Sequence, residues 1–204
     1  IPARYQLTYT ASNSKGVYTF CMCPGGYVIP SSCQKDQLVV NGMSYASRSG
    51  ENANSALLVQ INDSDYGNEL FAGLKYQEDL EKKAFEMGHD YKACVQLAKD
   101  YLENKISNQF ESVLPTYSIG TTFCDLNDLF SKEVNLALHE ALEHFEKKVP
   151  GFVSSGAILS AVESRSSSSV RLVRDKESYV SNIQGIYPSG EGSGYAGGIM
   201  TSAI

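Results

Sequence analysis

The chain has 204 residues, 42% of them hydrophobic and 20% charged, with a net charge of −6 at pH 7. That is enough apolar material for one large domain or two small ones with a sizeable core. The acidic balance, with no cluster of Lys or Arg, argues against a surface that tracks a nucleic-acid backbone.

The longest clearly apolar run, Ala56-Leu57-Leu58-Val59, falls far short of the roughly 20 residues that cross a bilayer, so no membrane is expected among the partners. Cys21, Cys23, Cys33, Cys94 and Cys124 are odd in number and scattered. They read as thiols of a cytoplasmic protein, not as a disulfide framework. No signal peptide is expected. The start at Ile1-Pro2 and the stop at Ala203-Ile204, inside an expected helix, read as cuts in a longer chain.

The first third reads as strands. Tyr5, Leu7 and Tyr9 alternate with Gln6, Thr8 and Thr10, the period of a half-buried strand. A turn signal at 12–16 leads to a second strand at 17–22, so a hairpin is expected. Pro24-Gly25-Gly26 is another turn, with apolar segments at 27–29 and 38–40, a polar loop at 47–55 and a further strand at 56–61.

The middle reads as helical. Leu70, Phe71, Leu74, Leu80, Ala84 and Phe85 fall on one face of a helix over 69–87, with Gly88 as its stop. A shorter helix is expected over 93–102, then an irregular stretch over 104–120. The strongest helical pattern runs over 126–149, with Asp125 as N-cap and Pro150-Gly151 as terminator. The last quarter returns to strands at 157–162, 170–173 and 183–187, then a glycine-rich turn and a final helix. The fold class that follows is α+β: a strand-rich N-terminal part, a helical middle and C-terminal strands.

Four segments carry candidate chemistry. In Gly190-Glu191-Gly192-Ser193-Gly194-Tyr195-Ala196-Gly197-Gly198, glycines let a ligand approach the backbone. A following helix would offer N–H groups to an anionic or electron-rich ligand, and Glu191 could accept hydrogen bonds from sugar hydroxyls. A plain glycine turn is equally compatible with the spacing. Cys21-Met22-Cys23-Pro24-Gly25-Gly26 is not a Cys-x-x-Cys motif, and two thiols fall short of the four ligands of structural zinc. Core packing and a turn explain it, with a substrate-facing thiol as the functional alternative. The loop Arg48-Ser49-Gly50-Glu51-Asn52-Ala53-Asn54 suits a carboxylate or nucleotide as well as it suits solvent. Arg165 and Arg171, flanking a serine run, suit an anion or a surface ion pair. His89, His139 and His144 form no constellation; each is expected to be exposed or capping. No metal site is expected.

The segments 183–192 and 194–199, together with 19–27, 40–45, 50–56 and 170–174, resemble a bacterial family of FAD-dependent, "NAD-utilising" dehydrogenases, which are flavoproteins with two dinucleotide-binding domains. The resemblance runs over essentially the whole chain and is most specific in the Cys-Met-Cys-Pro-Gly-Gly and Gly-Glu-Gly-Ser-Gly-Tyr-Ala-Gly-Gly segments. It implies that 1–155 is an inserted substrate or cap-type domain and 156–204 the closing segment of the FAD domain. Glu191 would contact the flavin ribityl, and the backbone from Gly190 and Gly192 through Gly194, Tyr195, Ala196, Gly197 and Gly198 would lie against the flavin. Cys21, Cys23, Gly25, Gly26, Arg48 and Arg165 are possible pocket residues.

The resemblance further implies that the ADP half of FAD is held by an N-terminal dinucleotide-binding domain outside this sequence. The partners implied are that domain and a small-molecule substrate, with NAD(P)H as a possible electron donor; the chain alone is expected to be inactive and to hold FAD weakly. Two other readings stay open: a non-catalytic binding or assembly module, and a flavoprotein acting on tRNA.

Overall fold

A computed structural model describes residues 6–154 and 156–197. It is a mixed α+β structure with three small sheets. The first expected hairpin forms: β1 (Thr8–Thr10) pairs antiparallel with β2 (Gly16–Cys23), with Thr8 opposite Tyr18 and Thr10 opposite Gly16. Tyr5 of the expected first strand lies outside the described residues. The other edge of β2 pairs antiparallel with β5 (Asn54–Val59). The register shifts there: Phe20 faces Ala56 but Cys23 faces Asn54, and Cys21 takes a positive φ of 48°. Such a bulge re-aims the side chains that follow it, here at the start of the Pro24-Gly25 turn. A second hairpin joins β3 (Gly26–Pro30) to β4 (Val40–Ser44).

A short helix and a long one follow β5. α1 (Asp63–Tyr66), which the sequence pattern did not suggest, is closed by a capping box: the Asn62 side chain accepts from Ser64 N–H and Asp65 bonds back to Asn62 N–H. α2 (Ala72–Gly88) starts later than expected. Leu70 and Phe71 precede it and are exposed, and Phe71 has a φ of 69°, so these two do not share the buried face of Leu80 and Ala84.

The expected helix over 93–102 is half strand. β6 (Ala93–Leu97) is buried at all five positions, and only α3 (Ala98–Leu102) is helical. A short apolar run buried on both faces has no alternation to separate strand from helix. β6 is the middle strand of the third sheet, parallel to β7 (Thr121–Phe123) and antiparallel to β8 (Ile158–Ala161).

The long helix expected over 126–149 is two. Asp125 caps α4 (Leu126–Leu129) as expected, through a bond from Asn127 N–H. Ser131 then caps α5 (Lys132–Lys148) by accepting from Val134 N–H. Ser competes for the backbone at a helix start, and this second cap breaks an otherwise continuous apolar stripe. α5 buries Val134, Ala137, Leu138, Ala141, Leu142 and Phe145.

The strands expected at 170–173 and 183–187 do not form. Arg174 and Ser181 make one isolated bridge. Leu172, Val173, Ile183 and Ile186 are exposed. The backbone near 183–186 closes on itself instead, through Ile186 N–H to Ile183 C=O, with Gly185 at a φ of 85°.

The chain divides into two compact units: residues 1–61 with 80–163, and 62–79 with 164–204. The division at 163/164 keeps β8 with its partner β6 in the first unit. Among the described residues no helix is long and apolar enough to cross a membrane.

Two predictions follow from the helix ends. Ser131→Ala removes the cap of α5 and lowers unfolding free energy by about 1 kcal/mol, read from urea denaturation. Glu146 accepts hydrogen bonds from Ser154 Oγ and from the N–H groups of Val153, Gly151 and Ser154, which hold its carboxyl down to about 2. A depressed carboxylate stabilises the fold fully above its ordinary value and loses that contribution as pH falls through the depressed one. Stability of Glu146→Gln is therefore less dependent on pH between its ordinary 4.5 and about 2, and carbon-detected NMR titration of the parent chain places the Glu146 carboxyl near the lower end.

Candidate functional site

In the second unit the glycine-rich segment forms a tight loop. Gly190 sits at φ 74°, ψ −171°, a 3₁₀ turn covers Glu191–Ser193, and Gly194 takes φ 82°. Ser193 Oγ donates to Gly190 C=O at 3.1 Å, and Tyr195 N–H donates to the same carbonyl at 3.2 Å. The segment 168–174 straps this loop. Leu172 N–H donates to Ser193 C=O at 3.1 Å, the Ser168 hydroxyl reaches Gly192 C=O at 3.2 Å, and Arg171 Nε donates to Gly194 C=O at 3.0 Å. The Arg174 guanidinium lies 3.9 Å from the Tyr195 ring centroid and donates to Pro188 C=O, while Arg174 N–H donates to Tyr195 Oη.

The two sides of the loop differ. A Cβ on Gly194 would lie 2.7 Å from Val170 C=O, so contact with the strap requires glycine there. Among the described residues a Cβ on Gly192 or Gly197 would meet nothing within 4 Å. Glu191 is half-buried. Gly198 and the helix expected after it lie outside the described residues. The structure joins Arg171 to the loop, whereas Arg165 is exposed. Arg174 was missed in the sequence; its i, i+3 relation to Arg171, in Arg-Leu-Val-Arg, was the available signal.

In the first unit, glycines bring three backbone segments together. A Cβ on Gly25, at φ 59°, would lie 2.1 Å from Arg48 C=O; on Gly42, 2.2 Å from Asn54 Oδ1; on Gly50, 2.6 Å from Gly25 C=O. Gly26 N–H donates to Asn52 C=O at 2.7 Å. Arg48 thus joins the Pro-Gly-Gly turn through its backbone, with its side chain exposed. Cys23 is half-buried and its thiol donates to Cys21 C=O at 3.2 Å. Burial foremost pushes this thiol above its ordinary value; a hydrogen bond with Ser44 opposes the rise and the Glu163 carboxylate adds to it. Cys21 is exposed.

Two adjoining cavities open beside these segments, sharing Val28, Asn54, Ser55, Leu57, Leu142, Ile158, Leu159 and Ser160 as wall. The larger, about 470 Å³, is also lined by Met22, Gly26, Glu51 and Asn52, so two sequence-flagged segments meet there. The smaller, about 150 Å³, runs inward along Phe130, Leu138 and Leu142, with Glu163 on its wall. Asn54 Nδ2 is shut off from solvent and has no hydrogen-bond partner, a state that costs roughly 1–3 kcal/mol. Burial alone raises the Glu163 carboxyl above its ordinary value. Neither Asn54 nor Glu163 had been separated from its neighbours in the sequence, since an orphaned amide shows only in three dimensions.

The histidines play other parts. His89 is exposed, but His139 and His144 are half-buried. His139 Nε2 lies 2.9 Å from Asn127 Oδ1 and its ring packs edge-on to Tyr101; burial lowers its pKa. No group of three His, Cys, Asp or Glu among the described residues is placed to hold a metal ion.

The contrast between crowded and open glycines is measurable. Gly25→Ala forces a Cβ against backbone at a left-handed φ and destabilises the fold by about 1–3 kcal/mol, whereas Gly192→Ala stays within about 0.5 kcal/mol of the parent; paired denaturant unfolding curves distinguish them.

Residues 1–166 match the model of the family described as "FAD-dependent protein, C-terminal domain-like". A protein of Clostridium beijerinckii, described as "Uncharacterized protein", is 42% identical over 205 residues, an alignment that covers 99% of this chain and 38% of the relative. This chain therefore spans little more than a third of that relative's length. The family match takes in the Cys-Met-Cys-Pro-Gly-Gly turn, the glycine-packed segments around it and both cavities of the first unit, and the chain belongs to the FAD-dependent protein, C-terminal domain-like family.

Proposed function

We propose that this chain is the C-terminal part of an FAD-dependent oxidoreductase, and that its glycine-rich loop lies against the flavin end of the cofactor. The observation that carries the reading is the two-sided loop at 190–197, in a chain of an FAD-dependent family. The residues present fit this end of the group. Gly192 leaves room among the described residues for close approach to the backbone, and Glu191 supplies a carboxylate for the ribityl hydroxyls. The 168–174 strap holds the loop in shape before any ligand arrives, which lowers the cost of ordering on binding.

For the ADP half the described residues offer no such cradle. On this reading a dinucleotide-binding domain elsewhere in the parent protein holds it. The second unit supports such a partner: Leu70, Phe71, Leu172 and Val173 line one cleft of about 1160 Å³, with Leu70 83% and Val173 77% exposed. Apolar side chains gathered in one exposed cleft mark an interaction surface. The first unit, with its cavities, takes the substrate part. The bound flavin would supply the hydride chemistry, with NAD(P)H as a candidate donor. The residues of this chain position, exclude water and bind.

The test compares visible absorbance of the purified full-length parent with that of this chain. Flavin absorption in the parent and none in the chain is the expected result. Glu191→Ala in the parent weakens FAD retention about tenfold, the equivalent of about 1.4 kcal/mol from a lost hydrogen bond. No flavin in the parent, even after soaking with FAD, removes the reading and favours a non-catalytic binding module.

A further inference from the structure

Three side chains of the third sheet reach the end of α2. Cys94 stands on β6, and the parallel register sets it beside Thr122 of β7. Cys124 N–H donates to Val95 C=O at 3.1 Å, which carries the ladder one residue past β7. Cys124 therefore lies two residues along from Thr122, on the face that Cys94 shares. The last C=O groups of a helix have no partner within it, and here the sheet supplies donors. Thr122 Oγ1 donates to Gly88 C=O at 2.8 Å, the Cys124 thiol to Met87 C=O at 3.2 Å and the Cys94 thiol to Ala84 C=O at 3.4 Å. The two thiols also hydrogen-bond each other. That bond, ahead of burial, holds Cys94 above its ordinary value, and it lowers Cys124, so the attacking thiolate forms at Cys124. Cys94 is fully buried and Cys124 is 7% exposed, which makes Cys124 the sulfur open to a reagent.

We propose that Cys94 and Cys124 are a modification site, at which oxidation joins them in a reversible disulfide that ties β6 to the end of β7 and uncaps α2. Two S–H bonds break and one S–S bond forms. A peroxide takes the two protons and two electrons and leaves as water; an azo oxidant such as diamide takes them and leaves as its hydrazine. The lost protons are the ones donated to Ala84 and Met87. Linkage strips both carbonyls of that donor in a poorly solvated setting, and the last turn of α2 loosens. The site draws on residues of the first unit alone and stands whether or not the flavin reading does.

The test treats the folded full-length parent with diamide and maps its cysteine peptides without reduction. A linked pair carrying Cys94 and Cys124, released by dithiothreitol, is the expected result. Hydrogen exchange of the amides at 85–88 rises about tenfold on linkage, the effect of losing a buried hydrogen bond, and falls back on reduction. Cys124→Ser keeps a hydroxyl to donate to Met87, forms no link, and shows no change of exchange with diamide. Recovery of both thiols unlinked, linkage of either to another cysteine, or linkage with unchanged exchange at 85–88 overturns the proposal, and all three are read on the unmutated protein.

Discussion

The first unit is built on β6, a strand buried along its whole length with an amide at its heart. Gln96 is fully buried, and its two polar ends are both used: Nε2 donates to Lys105 C=O at 2.7 Å and Oε1 accepts from Leu126 N–H at 2.8 Å. Buried polar groups hold structure only when fully satisfied. Here one side chain fixes both the loop that leaves α3 and the first turn of α4. The next residue continues the pattern: Leu97 N–H donates to Ser107 Oγ, which donates to Asp100. Once β6 is seated, β8 has its only partner among the described strands, and Ile158, Leu159 and Ala161 take their places in the cavity wall.

The opposite wall depends on close backbone approach. Gly25 touches Arg48, Gly50 touches Gly25, and Gly42 touches Asn54, all at distances that exclude a Cβ. This packing carries the Pro-Gly-Gly turn, the β4 end and the β5 start as one body. It also traps Asn54 with an unmet donor. Asn54 and Glu163 both contribute to the lining of the smaller cavity.

The second unit uses cations as mechanical parts. Arg171 and Arg174 spend their guanidinium groups on carbonyls and on Tyr195. Arg suits this because its planar fork donates while its face stacks. The consequence is a loop braced on the side that meets the 168–174 strap. Of the two arginines singled out in the sequence, Arg171 braces this loop together with Arg174, while Arg165 is exposed.

The sequence by itself determined the features with local causes. Alternation and a turn placed the β1–β2 hairpin, Asp125 announced its own cap, the period of 3.6 marked the buried face of α5, and the specific motifs at 19–27 and 183–199 pointed to the flavoprotein family. Tertiary structure decided what depends on neighbours. Ala93-Cys94-Val95-Gln96-Leu97 became a strand because two other strands flank it; an evenly apolar run carries no period of its own. The segments 170–173 and 183–187 did not become sheet strands because no partner strand lies beside them among the described residues, and their backbone bonds went to Ser193 and to local turns. Asn54 and Glu163 line one cavity although they stand more than a hundred positions apart, a distance at which no spacing rule operates and only packing decides.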